Sequence, residues 1–81
     1  MKIGDKVVYT ALTPEGDAAE YLADIIHYPR VYEDTKFILD LKVTLPGVDQ
    51  FEKRTDVKEG LPGETGTWNL LRLKKLLGES E

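Results

Sequence analysis

Residues 37–47 read Phe37-Ile38-Leu39-Asp40-Leu41-Lys42-Val43-Thr44-Leu45-Pro46-Gly47, and this stretch decides the fold. Phe37, Leu39, Leu41, Val43 and Leu45 recur at every second position, with Ile38, Asp40, Lys42 and Thr44 between them. Successive side chains of a strand point to opposite faces, so the first set should face a core and the second mostly water. Pro46 presets φ and Gly47 is free to take positive φ, which suits a reversal of the chain. Phe51, Lys53, Thr55 and Val57 continue with a weaker alternation. The stretch predicts a hairpin over 37–57, to which every other strand pairs directly or through a neighbour.

On the N-terminal side, Gly4-Asp5 reads as a turn that launches a strand. Val7, Tyr9 and Ala11 alternate with Val8, Thr10 and Leu12, so both faces of that strand carry apolar groups. Flanking on both sides is expected in a small, strongly curved barrel, where one sheet folds over itself. Residues 13–17, Thr-Pro-Glu-Gly-Asp, form a loop. Propensity allows a helix from Asp17, a good N-cap, to His27, but the run is short and Pro29 stops it. Tyr21, Ala23 and Ile25 also fit a strand, and the reading taken is a strand over Tyr21–Tyr28, with Ile25-Ile26 able to mark a bulge. Residues 29–36 connect it to the hairpin.

Beyond the hairpin, residues 58–66 hold three glycines and one proline and read as a second long loop. Thr67–Leu70 should be a last short strand. Leu70, Leu71, Leu73, Leu76 and Leu77 then recur at helical spacing. Asn69 suits the cap of that turn, Lys74 and Lys75 its C-terminal end, and Gly78 its stop, leaving 79–81 frayed. The expected fold is mainly β: a small SH3-like five-stranded barrel over 1–70, with a short C-terminal helix in a tail over 71–81. Phe37 and Trp68 are the expected core aromatics.

Several short motifs occur in order: Gly4-Asp5-Lys6-Val7-Val8-Tyr9, Ala23-x-Ile25, Leu39-x-Leu41-x-Val43, Pro46-Gly47, Gly60 and Gly66-Thr67-Trp68. In this the chain resembles small SH3-like barrel proteins of phage and prophage genomes, many of which end in a Gly-(Thr/Ser)-Trp strand. The resemblance spans about residues 3–70. It implies an accessory or virion-associated role and no known reaction. After Trp68 the chain departs from that pattern, with Asn69 and a leucine-rich tail where an aromatic-proline ending would stand.

Composition narrows the function classes. With 81 residues, 41% hydrophobic and 9% aromatic, the chain suits one compact domain near the lower size limit of a single core. It has no cysteine, so neither a disulfide framework nor a thiolate zinc site can form. No leader-like apolar run opens the sequence and no stretch approaches the roughly 20 apolar residues of a membrane span. The expected setting is intracellular, in a host cytoplasm, or a virion, without a membrane. The formal charge of −4 works against generic phosphate binding. Lys53-Arg54 and Arg72-x-Lys74-Lys75 are the basic clusters, and both are short.

Catalytic chemistry has little to stand on. Ser80 is the one serine, so a serine or cysteine nucleophile with a histidine base cannot be assembled. His27, the one histidine, reads as packed against Tyr28 or solvated at a strand end. Asp17, Glu20, Asp24, Glu33, Asp34, Asp49, Glu59 and Glu64 read as a solvated acidic surface, and none has calcium-loop spacing. No cofactor and no metal is expected.

Binding is the better prospect. Tyr28 and Tyr32 flank Pro29-Arg30, and Tyr and Arg are the types enriched in interface hot spots. The candidate protein-binding residues are Tyr28, Arg30, Tyr32 and Arg54; alternatively the two tyrosines close a barrel end while their hydroxyls reach water. Leu70, Leu73 and Leu77 share one helical face and are the candidate self-association residues, unless that face folds back on the barrel. The expected function is a non-enzymatic protein-interaction module, with phage ancestry implied by the resemblance. The partner is a protein, with a homo-oligomer through the tail as a further option. A nucleic-acid-binding barrel of KOW or Tudor-like type, using Tyr28, Tyr32 and Arg54, is the alternative.

Overall fold

A computed structural model describes residues 2–33, 36–44 and 51–78. Six strands and one helical turn follow in order: β1 (Lys6–Leu12), β2 (Ala18–Ile25), β3 (Arg30–Glu33), β4 (Lys36–Thr44), β5 (Phe51–Glu59), β6 (Thr67–Asn69) and α1 (Leu73–Leu76). They form one sheet in the order β2-β1-β6-β5-β4-β3, and a further pairing of β2 with β4 closes five of the strands into an SH3-like barrel.

β4 is the hub, as its alternation predicts. One edge pairs with β5; the other pairs with β2 over Leu41–Val43 and with β3 over Lys36–Ile38. Leu39, Leu41 and Val43 are buried, together with Val7, Tyr9, Ala23, Ile25, Val57 and Trp68. Phe37 is half-buried and packs against this core. Trp68 donates its indole N–H to the Phe37 carbonyl at 3.1 Å, so the polar edge of the largest core side chain is satisfied. The Leu45-Pro46-Gly47 turn and the tail end at 79–81 lie outside the described residues.

Four expectations need correction. β2 starts and ends three residues earlier than 21–28, because its register is set by β1, from Lys6 opposite Asp24 to Leu12 opposite Ala18. The Thr13–Asp17 loop closes that hairpin, with Thr13 N–H donating to Asp17 O at 2.7 Å and Gly16 at φ +90°. No bulge forms at Ile25-Ile26; the strand ends there. Residues 29–36 are more than a connection, since Arg30–Glu33 adds a sixth strand outside the closed barrel. Finally, the alternation of β5 does not run through. Leu39 faces Val57 but Leu41 faces Arg54, so Thr55 and Asp56 together oppose Asp40. That is a β-bulge, with Asp56 at φ +55° as the left-handed residue. Asp tolerates that conformation better than most residues. The bulge shifts the phase, and Phe51 is left half-exposed while Val57 is buried.

The second face of β1 also has a different cover from the one expected. Val7 and Tyr9 point into the barrel, and Val8 and Thr10 point out, yet both of the latter are fully buried. The cover is α1, which packs against β1 and β2. Leu73 and Leu76 are half-buried there, whereas Leu70, Leu71 and Leu77 are exposed. Lys74 and Lys75 lie in the last turn and Gly78 stops it at φ +78°. Arg72, not Asn69, holds the N-cap position; Asn69 Oδ1 accepts the Arg72 N–H one turn earlier, at 3.4 Å.

β5 and β6 pair in parallel over only two residue pairs, Lys58 with Thr67 and Glu59 with Trp68. The return between them is tight at Gly60, whose N–H donates to Trp68 O at 2.9 Å. A Cβ at Gly60 would lie 2.6 Å from Thr67 Cβ, with the Glu64 carboxylate and Thr67 hydroxyl also in the way. Gly60→Ala should therefore destabilise the barrel by about 1–3 kcal/mol, as overpacking of a tight site does. Urea unfolding gives the value, and a change below a few tenths would show that the β5–β6 return relaxes freely.

Candidate functional site

The bulge organises a polar cluster on the outer face. A bulged residue is left without its ladder partner, and here a side chain supplies one: Asp40 Oδ1 accepts the Asp56 N–H at 3.0 Å. The same oxygen accepts Arg30 Nη2 at 2.8 Å, and Asp40 Oδ2 accepts His27 Nδ1 at 2.8 Å. Arg30 Nη2 also lies 2.8 Å from Asp56 Oδ1. One carboxylate, 15% exposed, thus ties the β2–β3 link, β3 and the β5 bulge to the middle of β4. The Asp56 N–H holds the Asp40 carboxyl below its ordinary value of 3.8; burial opposes this, and His27 and Arg30 add to it.

The sequence-derived candidates do not form one site: Arg30 and Tyr32 lie on β3, Tyr28 in the β2–β3 link, and Arg54 on β5 opposite Leu41. Arg30 is taken up by the two aspartates. Arg54 pairs with Glu52, two residues away on β5. Tyr32 is half-buried, with the Lys58 ammonium 5.4 Å from its ring centre. Tyr28, in the β2–β3 link, is 79% exposed. His27 is solvated as expected, but its partner is Asp40, a residue the sequence reading passed over along with Asp56. Lys42 sits 4.3 Å over the Phe51 ring and adds a second cation–aromatic contact. β3, β4 and β5 carry six of the eleven basic residues against five of the fifteen acidic ones, so the acidic excess lies elsewhere.

A second surface lies at the end of the barrel and is apolar. A groove of about 350 Å³ is lined by Phe37, Leu61, Trp68, Leu70 and Leu71 together with Glu59, Gly60 and Asn69. Leu61 is 70% and Leu71 74% exposed. Val31, also exposed, stands opposite Phe37 across β3 and β4. A groove of about 480 Å³ runs on the other side of Leu70, along Asp5, Lys6, Val7 and Leu73. Of the candidate self-association residues, Leu70 is therefore a ridge between two grooves, Leu73 is partly used inside the molecule, and Leu77 is exposed. Leu61 belongs to this surface and was missed, because it stands alone in a glycine-rich loop with no periodicity around it.

Among the described residues no group of three or more His, Cys, Asp or Glu side chains is placed to hold a metal ion, and no helix is long and apolar enough to cross a membrane. Comparison with known proteins gives no matching family model, no matching characterised protein and no matching solved structure.

Proposed function

We propose that this chain is a non-enzymatic protein-interaction module that docks on another protein through the apolar groove at the barrel end. The observation that carries this reading is the pair of leucines, Leu61 and Leu71, standing largely in water while lining one groove with Phe37 and Trp68. Exposed apolar side chains around a concave surface cost solvation in the free protein and are regained on burial by a partner. Phage ancestry, with a role as a small virion component or a binder of a host protein, follows from the sequence resemblance and belongs to the same proposal.

Site-specific photo-crosslinking tests it. A benzoylphenylalanine at position 61 or 71, in cells that make the protein, should yield an adduct with a second polypeptide. The same group at exposed Leu12, on the far end of β1, serves as background. Adducts at 61 and 71 no stronger than at 12 would end the proposal.

The cation–aromatic pairs Lys42–Phe51 and Lys58–Tyr32 favour a second reading, single-stranded nucleic acid on the β4–β5 face. The net charge of −4 places it second. Fluorescence anisotropy should find nothing tighter than the non-specific range of about 10⁻⁴ to 10⁻⁶ M at physiological salt. Salt-sensitive nanomolar binding would reverse the order.

A further inference from the structure

We propose that α1 is a displaceable cover, and that the outer face of β1 beneath it is opened and closed by local movement of the tail while the barrel stays folded. Three polar atoms carry this inference. Thr10 Oγ1, Glu20 Oε2 and Asn69 Nδ2 are buried without a hydrogen-bond partner among the described residues. They belong to one patch: Thr10 on β1 stands directly opposite Glu20 on β2, and Asn69 on β6 stands opposite Val8, two residues before Thr10. Thr10 and Asn69 are almost wholly out of water.

Closing α1 over this patch leaves Thr10 Oγ1, Glu20 Oε2 and Asn69 Nδ2 without a protein partner, which costs desolvation, and returns to Asn69 only the Arg72 N–H, held by Oδ1 at 3.4 Å. The hold on the other side is light. The helix is a single turn, and helices this short do not persist without packing. None of its residues is fully buried, and its N-cap residue, Arg72, makes no side-chain cap. Its polar ties to the sheet are long: Arg72 with Glu20 at 4.0 Å, and the Arg72 N–H to Asn69 Oδ1 at 3.4 Å. Two half-buried leucines set against three unpaired polar atoms leave the closed state only slightly favoured. The barrel core, by contrast, is apolar and closed. Segments with few buried contacts open locally long before the global transition.

The absence of cysteine from the chain makes the opening measurable. Val8→Cys or Thr10→Cys places one thiol on the covered face, where a soluble disulfide reagent reaches it only when α1 lifts. Labelling under native conditions should outpace global unfolding by at least about a hundredfold and depend weakly on urea, the signature of local opening. In the Val8→Cys background, Thr10→Val keeps the shape and removes one unpaired group, so it should slow labelling by about tenfold. Leu73→Ser with Leu76→Ser should accelerate labelling and leave the urea midpoint of the barrel little changed. Two results would overturn the inference: labelling as slow and as urea-dependent as global unfolding, or a Thr10→Val rate equal to that of its parent. If Val8→Cys does not fold, Thr10→Cys supplies the first comparison and the double serine variant the second.

Discussion

Trp68→Ala is expected to bring the barrel close to unfolding at room temperature. The indole is 2% exposed and is the largest of the fully buried side chains. Its removal uncovers on the order of 200 Å² of neighbouring surface and takes away the donor that satisfies the Phe37 carbonyl. Truncating a buried Trp to Ala costs about 3–5 kcal/mol, against a total of about 5–10 kcal/mol for a domain of this size. At about 4–8 °C per kcal/mol the midpoint should fall by roughly 12–40 °C. Calorimetry on Trp68→Ala and Trp68→Phe separates the two contributions, since Phe keeps most of the bulk and loses only the N–H. A Trp68→Ala midpoint within a few degrees of the parent would mean that the β1–β6–β5 closure contributes little to stability.

Asp40 should be the second most sensitive position, although it lies outside the apolar core. Asp40→Ala strands the Asp56 N–H in a left-handed bulge and releases His27 and Arg30. Hydrogen bonds to a charged group contribute about 1.5–3 kcal/mol. His27 and Arg30 are exposed enough to turn to water, so a loss of about that size is expected rather than a multiple of it. The pH dependence gives a sharper test. The Asp40 carboxyl titrates below its ordinary value in the folded protein. Its contribution is therefore fully present above the unfolded value near 3.9 and is lost as pH falls through the lower, folded one. Stability of the parent should decline below about pH 4, and Asp40→Asn should flatten that decline. Urea midpoints at pH 7 and pH 3 supply the measurement. Equal declines in parent and variant would assign the acid sensitivity to other carboxylates.

Docking at the barrel end and movement of α1 concern adjacent surfaces. Leu70 touches the grooves on both sides of the tail, so a partner seated on Leu61 and Leu71 would lie against the segment that leads into the cover. The two ideas fail separately: cross-linking at 61 and 71 reads the groove, and thiol labelling at 8 or 10 reads the cover.

What the sequence by itself determined is local and periodic. The alternation of residues 37–43 placed Leu39, Leu41 and Val43 inside, and the Gly66-Thr67-Trp68 strand placed the indole in the core. Gly78 stopped the helical turn, as a residue free to take φ +78° can. The double-sided pattern of Val7, Val8, Tyr9 and Thr10 announced that β1 would be covered on both faces, without naming α1 as the cover. The tertiary structure decided which distant residues meet, and period alone has no information on that. Phe51-x-Lys53-x-Thr55-x-Val57 shows only a weak alternation, and pairing with β4 gives two residues to the place of one and turns Phe51 outward. Asp40 reads as one more solvated carboxylate until that bulge presents it with an unpaired N–H. Thr10, Glu20 and Asn69 are far apart in the sequence, and become a patch only because β2, β1 and β6 lie side by side under the tail. Register and closure are set by hydrogen bonds and packing between segments far apart in the chain, and a residue's neighbours in sequence do not specify them.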